Sequence, residues 1–347
     1  MPVFPVEPLT AAAAQILVAA GTPVDIARSV AGWLAGADLA GHASHGLMRV
    51  PWYVQDIQTG QIRPAERPAI TRETETTVVV DGHAGFGFLA AAAVTERVAA
   101  KAQRAGVAAG AVVRGNHIGR LGAWAELAAE RGVVFWLTYG GPQYFNVVPF
   151  GGARGRLATN PMTFAAPAGG TDPMILDFAT SAVAAGKIWV ARDKGHGVPA
   201  EWIVDKHGRP TTKTADYFKG GALRTAGGHK GYALSLMVEL LSANLTATAT
   251  DAQSPLGVFA LGIDPNAFGA GPAYAAATRA TFQRMRSTPP AEGFNEVQIP
   301  GDYERRSRAT IQATGIAMPE PTWQAILDCA TSLGLEARAI ERLARGE

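Results

Sequence analysis

Residues 41–54 read GHASHGLMRVPWYV, and this run brings His42, Ser44, His45 and Arg49 into one short, glycine-bounded segment. The chain of 347 residues has only seven histidines, so two of them three positions apart form a local concentration of titratable groups. Loops held by a rigid scaffold supply a large share of the binding and catalytic groups of proteins. The segment is therefore the first candidate for a functional site, and its surroundings indicate the fold that presents it.

Helical patterns flank this segment on both sides. Apolar residues recur at helical spacing over residues 10–40, which predicts two helices, and a third helix is expected over about 51–60. The C-terminal patterns PTWQAILDCATSLGL and EARAIERLARG, residues 321–346, are also helical and contain no strand signal. We therefore expect residues 1–72 to form a helical part that packs with residues 305–347 as one discontinuous helical domain.

The middle of the chain has a different pattern, in which strands and helices alternate. The predicted strands are TTVVVDG (76–82), VAAGAVVRG (107–115), VVFWLTYG (133–140), MTFAAPA (162–168), MILDFATS (174–181) and GVFALGIDP (257–265). The predicted helices lie at 89–106, 121–132, 184–192 and 229–245, whereas residues 193–228 are expected to be irregular. The predicted fold class is therefore α/β, in the α+β sense, with residues 73–304 as an α/β domain.

Charge and composition exclude several classes of protein. A formal net charge of +2, from 31 Lys and Arg and 29 Asp and Glu without a basic run, argues against nucleic acid or an anionic membrane as a partner. No segment approaches the roughly 20 apolar residues of a membrane span, and the N-terminal apolar stretch lacks the basic start of a signal peptide. The single cysteine, Cys329, excludes an internal disulfide and fits a buried helical position. These features predict a cytoplasmic protein.

The sequence GFGFLA, residues 85–90, fits the G-x-G-x-x-A pattern of a Rossmann phosphate loop and lies between a predicted strand and a predicted helix. A Rossmann domain also needs an acidic residue at the end of the next strand, where this chain has Arg114. Two phenylalanines inside the motif would crowd a pyrophosphate. We therefore interpret the motif as a packed turn between strand and helix.

Four further polar clusters stand at the ends of predicted elements: GNHIGR (115–120), TNP (159–161), DFATS (177–181) and GGHKG (227–231). His117 is expected to open a helix, where free backbone N–H groups and a titratable ring could meet an anion, or where Asn116 caps the helix. Lys230 begins a long helix, a position that suits a cation only when it binds an anion such as a phosphate. Asp177 is expected to end its strand, as a helix cap or as a hydrogen-bond partner for a ring nitrogen or a ribose.

The histidine segment allows two other kinds of chemistry. His42, His45 and His117 could supply three metal-binding nitrogens, but there is no HExxH motif and His42 is expected to cap the preceding helix, so no metal is predicted. Ser44, His45 and Asp177 could form a hydrolase triad. Against this, adjacent Ser and His side chains are expected to point apart, and no G-x-S-x-G motif is present.

Six ordered motifs resemble the malate/L-lactate dehydrogenase-like oxidoreductases, a family unrelated in fold to the Rossmann lactate and malate dehydrogenases. GHASHGLMRVPWYV is similar to the family pattern GHDSHGxxRxPxY. The other motifs are NHIGRLGAWAELAAERG (116–132), PFGG with LATNPMTFAAP (149–167), LDFATSAVAAGKIWVA (176–191), WIVDKHGRPTT (202–212) and GGHKGYALSLMVELLSANL (227–245). The resemblance runs from about residue 9 to the C-terminus, so the chain is identified as a member of this family.

The resemblance implies a homodimer that binds NAD or NADP in a non-Rossmann, largely antiparallel sheet domain. The implied reaction interconverts 2-hydroxy and 2-oxo carboxylates: hydride leaves C2 of the hydroxy acid for the nicotinamide, and the hydroxyl proton passes to a neutral histidine. One alternative within the family is reduction of a cyclic imine acid, Δ1-piperideine-2-carboxylate or Δ1-pyrroline-2-carboxylate. A hydrolase built on Ser44 is the non-redox alternative. The particular substrate, the choice of NAD or NADP and the stereospecificity stay open.

The resemblance also implies roles for single residues. His45 is the acid/base group beside Ser44, and Asp177 completes a relay with them in some members. Arg49 binds the substrate carboxylate, and His117 contacts the substrate and is the proton acceptor in other members, so the principal acid/base stays open between the two histidines. The implied cofactor contacts are Arg120, Asp177, Phe178, Ala179, Lys230, Gly301, Asp302 and Arg306.

The chain departs from the family pattern in two places. Ala43 stands where typical members have aspartate, so any hydrogen bond from that position is absent. The segment between about residues 246 and 256 is shorter than the loop that carries a substrate-binding arginine in relatives acting on ureidoglycolate, and it contains no arginine. This argues against ureidoglycolate as the substrate.

Overall fold

The computed structural model describes residues 1–170, 172–250 and 256–347. The α-helices there are α1 (Val6–Ala19), α2 (Val24–Leu39), α3 (Val50–Gln58), α4 (Gly87–Ala105), α5 (Gly122–Ala129), α6 (Ala185–Asp193), α7 (Thr214–Phe218), α8 (His229–Glu239), α9 (Gly271–Arg286), α10 (Asp302–Thr314), α11 (Glu320–Ser332) and α12 (Ala337–Arg345). The strands are β1 (Val3–Phe4), β2 (Ala69–Glu73), β3 (Thr77–Asp81), β4 (Val107–Val113), β5 (Val134–Gly140), β6 (Pro161–Ala166), β7 (Met174–Ala179), β8 (Ile203–Val204), β9 (Pro210–Thr211), β10 (Ala222–Leu223), β11 (Gly257–Ile263) and β12 (Ile316–Ala317).

A seven-stranded sheet forms the centre of the fold, in the order β2-β3-β4-β11-β5-β6-β7. Among the described strands of this sheet, β3 and β4 pair in parallel and all other neighbours are antiparallel. Helices α4 and α5 pack on the sheet and on each other. Gly110 of β4 permits this close packing, because a Cβ there would lie 2.6 Å from the side chains of Val94 and Val98 in α4. The predicted mixture of helices with a mostly antiparallel sheet is confirmed.

The two ends of the described chain pack together. Strand β1 pairs with β12, α1 packs against α2 and α12, and α11 packs against α3. Phe4 and Trp323 are in direct ring contact, with centroids 4.4 Å apart. Strand β12 precedes the predicted C-terminal helices and had no sequence prediction, because its two residues, Ile316 and Ala317, are too few for a periodic signal.

A small lobe follows β7. Strands β8, β9 and β10 form a three-stranded sheet, and an apolar cluster with Ile188, Ile203 and Leu223 packs beside it. The expectation that residues 193–228 are irregular is therefore wrong, since this lobe is built from two-residue strands and short turns. Strand β2 and helix α9 had no sequence prediction, and α10 begins at Asp302, a little before the helical part expected from residue 305. They are largely exposed and lack a clear apolar period, so tertiary packing decides their structure.

The GFGFLA motif forms a packed turn, as predicted. Phe86 and Phe88 are buried, and α4 begins at Gly87. A Cβ at Gly87 would lie 2.1 Å from the carbonyl oxygen of Asn116, so protein atoms fill the space beside the turn. In the three described ranges, no helix is both long and apolar enough to cross a membrane.

Candidate active site

The histidine segment folds into two consecutive 3-10 turns, Ala43–His45 and Leu47–Arg49, that lead into α3. Asp38 of α2 fixes these turns to the helix, because its carboxylate accepts a hydrogen bond from the Leu47 N–H at 2.7 Å. A Cβ at Gly46 would lie 2.2 Å from that carboxyl group, so only glycine leaves room for it. Burial raises the pKa of Asp38 to about 7. The sequence does not reveal Asp38, because this residue lies inside the apolar pattern of α2.

Within these turns, Ser44 and His45 face each other. The Ser44 hydroxyl lies 3.0 Å from His45 Nδ1, so the expectation that the two side chains point apart is wrong. The 3-10 turn brings neighbouring side chains closer than an extended loop would. Arg49 Nε donates to the Ser44 carbonyl oxygen, and the guanidinium lies 4.4 Å from the centre of the Trp52 ring. Among the described residues, the terminal nitrogens of Arg49 have no hydrogen-bond partner.

His117 enters the same region from a loop. The predicted helix start at His117 is wrong, because α5 begins only at Gly122. Asn116 does not cap that helix. Its side-chain amide instead donates to the carbonyl oxygens of Ala84 and Gly85, at 3.0 and 2.9 Å, and so fixes this loop to the GFGFLA turn.

The protonation of His117 follows from its neighbours. The Gly119 backbone N–H donates to His117 Nδ1 at 3.2 Å, and the Tyr53 hydroxyl lies 2.7 Å from the same nitrogen. Because a backbone N–H can only donate, Nδ1 is an acceptor, and the neutral ring carries its proton on Nε2. The His45 and His117 rings lie nearly parallel, with centroids 5.8 Å apart and planes at 18°.

Both histidines are neutral near pH 7. Burial lowers the pKa of His45 to about 3, and the Arg49 guanidinium acts in the same direction. Burial, Arg49 and His45 lower the pKa of His117 well below its ordinary value. Burial also raises the pKa of Tyr53, which therefore keeps its proton and can donate it to His117.

A second group of polar residues lies where β7 approaches α5. Asp177 lies within β7 and not at its end, so it does not cap a helix that follows its own strand; its carboxylate instead accepts the N–H of Gly122, the first residue of α5, at 2.7 Å. The Arg120 side chain, only 4% exposed, donates to Glu126 at 2.6 Å. In the described part of the chain, its Nε and Nη1 have no partner. A Cβ at Gly122 would lie 2.3 Å from Arg120 Nη1 and 3.1 Å from Asp177 Oδ2.

Burial raises the pKa of Asp177, and the nearby Arg120 cation opposes this shift. Across the described ranges, no hydrogen bond joins Asp177 to Ser44 or His45, so the structure does not connect the relay that the family resemblance implies. The unpaired donors of Arg120 beside this carboxylate are the feature that a bound polar ligand could satisfy.

His42 contacts the C-terminal helices. Its Nε2 is 2.9 Å from the carboxylate of Glu304 in α10, so the predicted helix cap is not formed. This hydrogen bond holds the pKa of Glu304 below its usual range. His42 therefore ties the segment to the C-terminal helices. No three His, Cys, Asp or Glu side chains gather as metal ligands in the chain as described.

The other residues expected to contact the cofactor have varied surroundings. Phe178 lies on the opposite face of β7 from Asp177 and lines an apolar groove with Trp136 and Leu261, and Ala179 ends the strand. Lys230 is exposed in the first turn of α8.

The segment at the start of α10 is engaged in internal contacts. Gly301 precedes α10 with a φ of 101°, a conformation that favours glycine. Asp302 pairs with Arg286 and Arg305, and Arg306 pairs with Glu296.

The structure thus brings Ser44, His45, Arg49 and His117 together in one cluster. Asp177 and Arg120 form a second cluster. Four residues around His117 in the first cluster were not predicted from the sequence: Trp52, Tyr53, Asp56 and Tyr139. Tyr53 was within reach of the sequence, because it occupies the tyrosine of the family pattern GHDSHGxxRxPxY.

The chain is similar to known proteins over nearly its whole length. A family model described as malate/L-lactate dehydrogenase matches residues 4–327. Hydroxycarboxylate dehydrogenase B of Escherichia coli O157:H7 is 35% identical over 335 residues, which cover 92% of this chain and 91% of that protein. The Delta(1)-pyrroline-2-carboxylate/Delta(1)-piperideine-2-carboxylate reductase of Pseudomonas syringae pv. tomato is 34% identical over 317 residues, which cover 88% of this chain and 90% of that protein.

A solved structure has the same fold. Sulfolactate dehydrogenase from Methanocaldococcus jannaschii matches with a TM-score of 0.89 at 29% identity, over 97% of this chain and 99% of that one. The similarity therefore includes the sheet, the terminal helices and the loops that carry the histidines.

Proposed function

The chain belongs to the malate/L-lactate dehydrogenase family and is an oxidoreductase that interconverts 2-hydroxy and 2-oxo carboxylates, and from this premise we propose that His45, His117 and Arg49 form its substrate site. The observation that carries the proposal is the convergence of one cation and two neutral imidazoles: the His45 and His117 rings stack with centroids 5.8 Å apart, and the Arg49 guanidinium acts on the pKa of both. A 2-oxo acid needs these groups: a cation for the carboxylate and a proton donor or acceptor for the oxygen on C2.

Arg49 binds the substrate carboxylate. Its Nε donates a hydrogen bond to the Ser44 carbonyl oxygen. This bond orients the guanidinium and leaves the two terminal nitrogens for a bidentate contact. Trp52 supports the guanidinium from one face. Burial is the main cause of the lowered pKa values of both histidines, and the substrate carboxylate offsets only the further lowering by the Arg49 charge.

The two histidines take different parts. His117 carries its proton on Nε2 because Gly119 and Tyr53 occupy Nδ1, so it donates a hydrogen bond to the oxygen on C2. His45 can place its proton on Nδ1, toward Ser44, and then offers a free Nε2 to accept the hydroxyl proton. His45 is thus the acid/base group, and the Ser44 hydroxyl accepts the hydrogen bond from Nδ1 when the ring carries its proton there.

The cofactor in this proposal is NAD or NADP, which accepts or supplies the hydride. Asp177 and Arg120 fit its contact site, because the buried Arg120 has donors that no group in the described ranges accepts, beside an acceptor carboxylate. Phe178, Ala179 and the exposed Lys230 would extend that site. Gly301, Asp302 and Arg306 would shape it through the start of α10.

We also propose a division into two domains and a dimeric assembly. Residues 73–304 form the non-Rossmann cofactor domain, and residues 1–72 pack with 305–347 as the helical domain. The protein is a cytoplasmic homodimer whose ligands are small molecules. The antiparallel strand pairing and the contacts between the terminal helices support this division.

The test of the function is direct. Purified protein is mixed with NADH or NADPH and a panel of 2-oxo acids, and oxidation of the dinucleotide is followed by its absorbance. We expect oxidation that depends on the 2-oxo acid with at least one of the two dinucleotides. A panel that gives no oxidation with either would contradict the proposal.

A cyclic imine acid is the second candidate substrate. The reductase of Pseudomonas syringae pv. tomato that matches this chain is named for such acids. Δ1-Piperideine-2-carboxylate carries the same carboxylate for Arg49 and needs a proton at nitrogen, which His45 or His117 could supply. Adding the two imines to the same panel, and comparing kcat/KM, decides between the substrates.

A further inference from the structure

Arg49 is held at two points by the segment that precedes it. Its backbone N–H donates to the Gly46 carbonyl oxygen at 3.0 Å, and its side-chain Nε donates to the Ser44 carbonyl oxygen. Both acceptors belong to the two 3-10 turns and their junction, so the direction of the Arg49 guanidinium depends on the orientation of these turns. A residue that fixes the turns therefore also fixes Arg49.

Asp38 fixes the turns at a single peptide unit. The unit between Gly46 and Leu47 carries the carbonyl oxygen that accepts from Arg49, and it also carries the N–H that donates to the Asp38 carboxylate at 2.7 Å. Because a peptide unit is planar and rigid, rotating its N–H also rotates its carbonyl group. The Asp38 carboxylate thus sets the direction of the carbonyl group that holds Arg49.

The Asp38 carboxylate is in turn held in place by its surroundings. Asp38 lies in the last turn of α2, where Val30, Ala31 and Leu34 are fully buried. Gly46 packs directly on the carboxyl group, and a Cβ on this residue would overlap with it. Gly46 has a φ of −93°, which alanine also adopts, so the contact with Asp38 and not the backbone conformation requires glycine.

Asp38 is a costly residue to bury. It is only 6% exposed, and in the residues that the structure describes no Lys, Arg or His forms an ion pair with it. A carboxylate without a counter-ion is unfavourable in such a place, and burial accordingly raises its pKa. Asp25, in the first turn of the same helix, is exposed and pairs with Arg67 at 2.6 Å. Costly buried groups like Asp38 concentrate at functional sites.

We propose that Asp38 is a positioning residue for substrate binding, which acts through the peptide unit between Gly46 and Leu47 to place the Arg49 guanidinium against the substrate carboxylate. This inference rests on the proposed function, since it needs Arg49 to bind the substrate. Asp38 requires no contact with the substrate in this role. Its removal should therefore weaken substrate binding only while Arg49 is present.

A double-mutant cycle tests this dependence. Asp38→Ala should raise the KM for the best 2-oxo acid of the panel about 10-fold, the worth of one hydrogen bond to a charged group, and should leave the Kd of the dinucleotide within about twofold of the wild type. In the Arg49→Ala background the same substitution should change the KM by less than about twofold, because no guanidinium is left to place. A merely structural role would give the same loss in both backgrounds.

Two further variants keep the test valid if Asp38→Ala does not fold. Asp38→Asn keeps a carbonyl oxygen for the Leu47 N–H and should stay within about threefold of the wild-type KM. Gly46→Ala crowds the carboxyl group and should raise the KM about 10-fold in the presence of Arg49 and by less than about twofold in its absence.

Asp25→Ala is the matched control, because it removes an exposed carboxylate from the same helix. It should leave the KM at the wild-type value. An equal rise of the KM with and without Arg49, an equal weakening of dinucleotide binding, or a wild-type KM in Asp38→Ala would overturn this inference while leaving the proposed function intact. No turnover of any 2-oxo acid by the wild type would overturn the proposed function and this inference together.

Discussion

Two charged clusters of this protein differ in how completely their polar groups are paired. Asp302, 8% exposed, accepts from Arg286 at 2.7 Å and from the Ile299 N–H at 2.8 Å, and it also pairs with Arg305. Arg120 is equally buried but uses only the nitrogen that faces Glu126, while its Nε and Nη1 lack a partner in the described ranges. Both residues were expected to contact the cofactor.

This difference in pairing distinguishes charged residues that stabilise the fold from charged residues that bind a ligand. A buried ionic group with all its positions filled holds elements together, whereas buried donors without a partner carry a desolvation cost that a ligand can offset. By this criterion Arg120 and Arg49 face ligands, and Asp302 fixes the start of α10. Substitutions in the two groups should therefore have different consequences.

The largest effect is expected at the acid/base group. His45→Gln should lower kcat about 100- to 10,000-fold, because the substituted amide cannot accept the hydroxyl proton. His117→Gln keeps an N–H donor and should lower kcat only about 10-fold. Steady-state kinetics with the best 2-oxo acid of the panel give both values, and equal losses would reject the division of roles between the histidines.

The second-largest effect is expected when the arginine that binds the substrate carboxylate is removed. Arg49→Ala should raise the KM for the 2-oxo acid about 10- to 100-fold, the worth of charge-assisted hydrogen bonds to a carboxylate. The Kd of the dinucleotide, measured by fluorescence titration, should change little. Arg28→Ala, which removes an exposed arginine of α2, is the control. An equal weakening for both ligands would place Arg49 elsewhere.

Asp302→Asn should reduce stability and not chemistry. The partner arginines are partly exposed, so we expect a loss of about 1–2 kcal/mol in the free energy of unfolding, measured by urea denaturation at pH 7. Although burial opposes the shift, the hydrogen bonds from Arg286 and Ile299 hold the pKa of Asp302 below its ordinary value.

The pH dependence of this loss has a definite sign. A lowered carboxylate pKa stabilises the fold above the unfolded-state value of about 3.9, and the stabilisation disappears as the pH falls through the folded-state pKa. The wild type and Asp302→Asn should therefore converge in stability at acid pH. A difference that stays constant down to the acid limit would show that the ionised carboxylate is not its source.

The smallest effect is expected at Tyr53. Tyr53→Phe removes the hydroxyl that hydrogen-bonds His117 Nδ1 but leaves the Gly119 N–H in place, so kcat should fall about 2- to 10-fold. The pH profile of kcat should shift as well, since one donor to the ring is lost. A variant with wild-type kcat and an unchanged profile would show that Tyr53 only fills space.

Sequence patterns are informative where the motifs are local. The helix and strand patterns predicted the mixed fold, and the short spacing within residues 41–54 is enough to group Ser44, His45 and Arg49. The segment that argues against ureidoglycolate lies partly at residues 251–255, outside the described residues.

Other features depend on contacts that no local pattern encodes. Tyr53 meets His117 across 64 positions, and His42 meets Glu304 across 262. Asp38 has an apolar helical context that hides its contact with Leu47. The pattern at 121–132 predicted the start of α5 to within one residue, whereas the expectation that His117 opens the helix was wrong because residues 117–121 form a loop.

The most direct test of the division between paired and unpaired groups is the affinity for the dinucleotide, measured by isothermal titration calorimetry with whichever of NADH and NADPH supports turnover. Arg120→Met removes the buried donors and should weaken binding about 10-fold or more, whereas Asp302→Asn should stay within about twofold of the wild type. Weaker binding in Asp302→Asn together with unchanged binding in Arg120→Met would contradict the division.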